Sequence, residues 1–77
     1  MSVRSKYEAE LALVFGKLTK MCRETELSIE KSVQALKTRD KTLAREVMDN
    51  DKNIDAAERD IEQDCLKILL MEHPVAS

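Results

Sequence analysis

Residues 11–36 read LALVFGKLTKMCRETELSIEKSVQAL. Leu11, Phe15, Leu18, Cys22, Thr25, Ile29, Ser32 and Leu36 step along it by four and three, and Val14, Met21 and Val33 widen the stripe. That is the 3.5-residue period of a helix packed against another helix. Upstream, Ser5 precedes Glu8 by three residues, the pattern of a capping box, which starts this helix near residue 5. Gly16 costs about 1 kcal/mol inside a helix relative to alanine. The helix formers around it favour simple tolerance over a close helix approach.

Working outward, Lys37-Thr38-Arg39-Asp40 breaks the stripe, and Asp40 or Thr38 can accept amides at the start of a second helix. Leu43, Val47, Ile54, Ala57, Ile61, Cys65 and Ile68 then continue a seam until Pro74, which ends the helix at or before His73. The expectation is an all-α antiparallel hairpin, with helix 1 over about 5–37 and helix 2 over about 41–72. Two helices offer each other one seam, whereas these stripes are wider. Self-association into a dimer or higher oligomer, for instance a four-helix bundle, is therefore expected. With a turn at residues 39–40, Cys22 lies opposite about residue 57, two turns from Cys65, or roughly 12 Å, so no intrachain disulfide is expected. Both cysteines fall on the seams and read as small core residues.

The composition agrees with long helices. The chain has 77 residues, 43% hydrophobic and 36% charged, with one Gly, one Pro and two aromatic side chains. This is room for one small domain, and it is neither a disordered nor a membrane-spanning composition. The longest apolar runs, 11–15 and 68–71, fall far short of the ~20 residues a bilayer needs. With no apolar signal region at the start and no disulfide framework, a cytoplasmic location is expected. Residues 1–45 hold ten Lys/Arg against six Asp/Glu, and residues 46–64 hold two against eight. A basic helix 1 folded on an acidic helix 2 explains that asymmetry more simply than a nucleic-acid surface. No Gly-rich phosphate loop and no Ser/His/Asp set is present, so no enzymatic activity is expected. His73 suits the C-terminal end of a helix dipole better than a catalytic or ligand role.

Helix 2 has one gap in its seam. Asn50 or Asp51 falls where an apolar residue belongs, and Asp55 and Glu58 follow on that side. Asp51 and Asp55 are four apart, so their carboxylates share a helix face and offer hard oxygen ligands to Mg, Mn, Fe or Ca. Two side chains make half a site. The hairpin geometry places Ser28 and Glu24 opposite them, which makes Glu24 the third candidate ligand. The spacing alone is common, since Asp60 and Asp64 share it, as do Glu26 and Glu30.

Taken in order, Ala35-Leu36-Lys37-Thr38-Arg39-Asp40, Leu43-Ala44-Arg45-Glu46-Val47, Asp51-Lys52-Asn53-Ile54-Asp55, Glu58, Ile61-Glu62, Cys65-Leu66 and Pro74-Val75-Ala76, with Tyr7, Glu8 and Leu11 upstream, resemble the N-terminal part of one PhoU repeat, the phosphate-uptake regulator family. The resemblance implies a cytoplasmic all-helical protein built from three-helix bundles. It implies repression of phosphate-starvation signalling through contacts with a phosphate ABC transporter and a sensor histidine kinase, without catalysis. It also implies Glu/Asp-xxx-Asp motifs that hold divalent or iron/manganese clusters, a motif that Asp51 and Asp55 match. The family's third helix would follow Pro74-Val75-Ala76, where this chain ends at Ser77. The expectation is thus a hairpin lacking its third helix, either part of a longer regulator or completed by a second copy. The rival expectations are a carboxylate metal-binding protein in its own right and a structural PhoU-like appendage of a sodium-phosphate cotransporter.

Overall fold

The computed structural model describes the backbone of residues 3–72 and the side chains of residues 6–71. Helix α1 runs Val3–Thr38 and helix α2 runs Lys41–Glu72, folded back on each other as an all-α antiparallel hairpin. Ser5 lies inside α1 rather than at its boundary, so the capping box expected there does not mark the helix start. His73 and Pro74 lie outside the described residues.

The turn is built from local hydrogen bonds. Arg39 takes a left-handed conformation, φ 57°, and the Asp40 amide donates to the Ala35 carbonyl at 2.9 Å, the 6→1 closure of a Schellman motif. Asp40 then caps α2: its Oδ1 accepts the Leu43 amide at 3.0 Å, and its carbonyl accepts the first intrahelical bond from Ala44 at 3.1 Å. Of the two capping candidates, Asp40 takes the role. The Thr38 hydroxyl instead donates back to the Gln34 carbonyl at 2.9 Å.

The face that α1 turns toward α2 holds only the Leu11, Val14 and Met21 side of the expected stripe. Val14 and Ala35 are buried, and Leu11, Met21, Glu24 and Ser28 are half-buried. Phe15, Leu18, Cys22, Thr25, Ile29, Ser32 and Leu36 are exposed instead. The two stripes are offset by about one residue, roughly 100° around the helix. The inner one wins because small residues at the contact (Ser28, Ala35) let the axes approach and because it carries Lys17 onto the acidic side of α2. On α2 the expected seam holds, with Ile61 buried and Leu43, Val47, Ile54, Ala57 and Ile68 half-buried. Cys65 departs from it. Both cysteines are free and exposed, not core residues, because each sits on the outer flank of its helix.

One seam leaves much of the chain wet. The accessible surface is 6506 Å², against roughly 4800 Å² for a compact monomer of this mass. The molecule measures 59 × 18 × 13 Å, and among the described residues Val14, Ala35 and Ile61 form the buried core. No helix among the described residues is long and apolar enough to cross a membrane.

Candidate functional site

The hairpin has two unlike flanks. On one, Lys17 Nζ donates to Asp60 Oδ2 at 2.9 Å and to Asp64 Oδ2 at 2.6 Å, joining basic α1 to acidic α2. Asp60 and Asp64 are one turn apart, which lets a single ammonium bridge both. These hydrogen bonds, Asp64 first and Asp60 second, raise the Lys17 pKa above the ordinary lysine value, although all three groups keep substantial contact with solvent. The sequence contained the signal for this clamp: two carboxylates four apart on the acidic helix, facing a lysine-rich partner.

Glu24 belongs to the same flank. It lines one cleft with Ser28, Lys31, Glu46 and Asn50, and a second with Lys20, Asn53, Ala57 and Asp60. Asn53 Nδ2 donates to Asn50 Oδ1 at 3.1 Å beside it. The level along the hairpin axis is the one the turn position implied. The side is different.

On the opposite flank, Ser32, Ala35 and Leu36 of α1 and Ala44, Val47 and Met48 of α2 line an apolar cup of about 500 Å³ next to the turn. The space is open because Ala35 and Ala44 present only methyl groups at its floor. Asp51 and Asp55 lie three and seven residues beyond Met48, which by helical spacing sets them on this flank, exposed. Asp51 and Asp55 therefore share a face as expected, but Glu24 does not join them. Among the described residues, no three His, Cys, Asp or Glu side chains come together in a group that could hold a metal ion. The Asp51 and Asp55 pair by itself offers two carboxylates, short of the six or more oxygen ligands that Ca or Mg takes.

The carboxylates of Asp49, Asp51, Asp55, Glu58 and Glu62 are exposed and make no ion pair among the described residues. Asp51, Asp55, Glu58 and Glu62, spaced i, i+4, i+7 and i+11, form an acidic strip along one face of α2. The features that stand out are surfaces: a charged strip, an apolar cup and the apolar outer face of α1.

Comparison with known proteins agrees with this architecture. The PhoU domain matches residues 18–77. Three relatives are named as phosphate-specific transport system accessory protein PhoU homologs. The one from Thermotoga maritima is 32% identical over 90% of this chain. That from Pseudomonas putida is 33% identical over 97%, and that from Borreliella burgdorferi 36% identical over 97%. No solved structure matches. The chain spans only about a third of the length of these relatives, at 30%, 29% and 34% respectively. With a two-helix architecture and a family match over most of its residues, this chain belongs to the PhoU family.

Proposed function

We propose that the chain acts in the regulation of phosphate uptake and phosphate-starvation signalling by binding other proteins, without catalysis, in the cytoplasm. Family membership is the observation that carries this reading, because the relatives are named as accessory proteins of phosphate-specific transport. The partners are the components of a phosphate ABC transporter and a sensor histidine kinase. The surface offered to them is the acidic strip of α2, whose free carboxylates favour a basic partner face through charge complementarity. Affinity for such a face falls as salt rises, since exposed charges are screened beyond about 8–10 Å.

The test is capture of transporter and kinase components by the tagged chain, compared with a charge-reversed Asp51→Lys, Asp55→Lys, Glu58→Lys variant. Recovery by the native chain and loss by the variant is the expected result. Recovery of neither component, under conditions where a full-length relative retains them, would remove the reading.

A second reading has support from Asp51 and Asp55, which match the family's Glu/Asp-xxx-Asp pattern. In it, the pair contributes two oxygen ligands to a divalent or iron/manganese site whose remaining ligands come from outside this hairpin.

A further inference from the structure

We draw no further inference here: the strongest candidate, the apolar cup beside the turn lined by Ser32, Ala35, Leu36, Ala44, Val47 and Met48, is an unpartnered face between α1 and α2, and nothing in the structure shows what covers it.

Discussion

Lys17 Nζ sits 2.6 Å from Asp64 Oδ2, and the same ammonium holds Asp60 at 2.9 Å, tying the two helices together two to three turns from the free end of α2. The pair is exposed, so its worth in stability is that of a screened surface contact. Lys17→Met should lower the melting temperature slightly at low salt and not at all at high salt. Because the Lys17 pKa is raised, its contribution is fully present below the ordinary lysine value of 10.5 and is lost as pH rises through the folded-state value. Melting curves at neutral and strongly alkaline pH should therefore converge between native chain and variant only on the alkaline side.

The turn offers a sharper test. Arg39 holds φ 57° where glycine is the usual residue, and a side chain there costs roughly 1 kcal/mol. Arg39→Gly should raise stability by about 0.5–1 kcal/mol in chemical denaturation. Asp40→Ala removes the cap on Leu43 and should cost about 1 kcal/mol.

Gly16 gives a prediction of the same kind. A methyl group added there meets nothing within 4 Å. Gly16→Ala should stabilise α1 by about 0.5–1 kcal/mol, measured by the same denaturation. A loss of stability would indicate that something approaches Gly16 closely in solution.

These particulars show what could be read from the residues. The two helices and the turn were legible because the apolar period is sustained and the sole proline lies near the end of the chain. The axial register followed from the turn, which is why Glu24 lies level with Asn53. Which stripe of α1 faces inward was not legible. Leu18 and Ile29 on one stripe and Val14 and Met21 on the other score alike as hydrophobic, and the choice depends on helix approach at Ala35 and on the reach of Lys17 to Asp64. The same rotation carries Glu24 to the flank opposite Asp51 and Asp55, so a ligand set that looked adjacent by level is split by side. The left-handed Arg39 was also hidden, since no glycine marks the position.

For the metal reading, bound Mn or Fe measured by mass spectrometry of the purified chain should drop at least several-fold on Asp51→Asn plus Asp55→Asn, and should not change on Glu24→Gln. Metal content indifferent to the first pair would remove Asp51 and Asp55 as ligands.

The most direct test of the central claim, that this PhoU-family hairpin works by protein contacts through the acid strip of α2, is capture of phosphate-transporter components from detergent-solubilised membranes at two salt concentrations. The account predicts retention at low salt, weakening as salt rises, and loss in the Asp51→Lys, Asp55→Lys, Glu58→Lys variant with the hairpin still folded. Undiminished capture by that variant, or none by the native chain where a full-length relative succeeds, would contradict it.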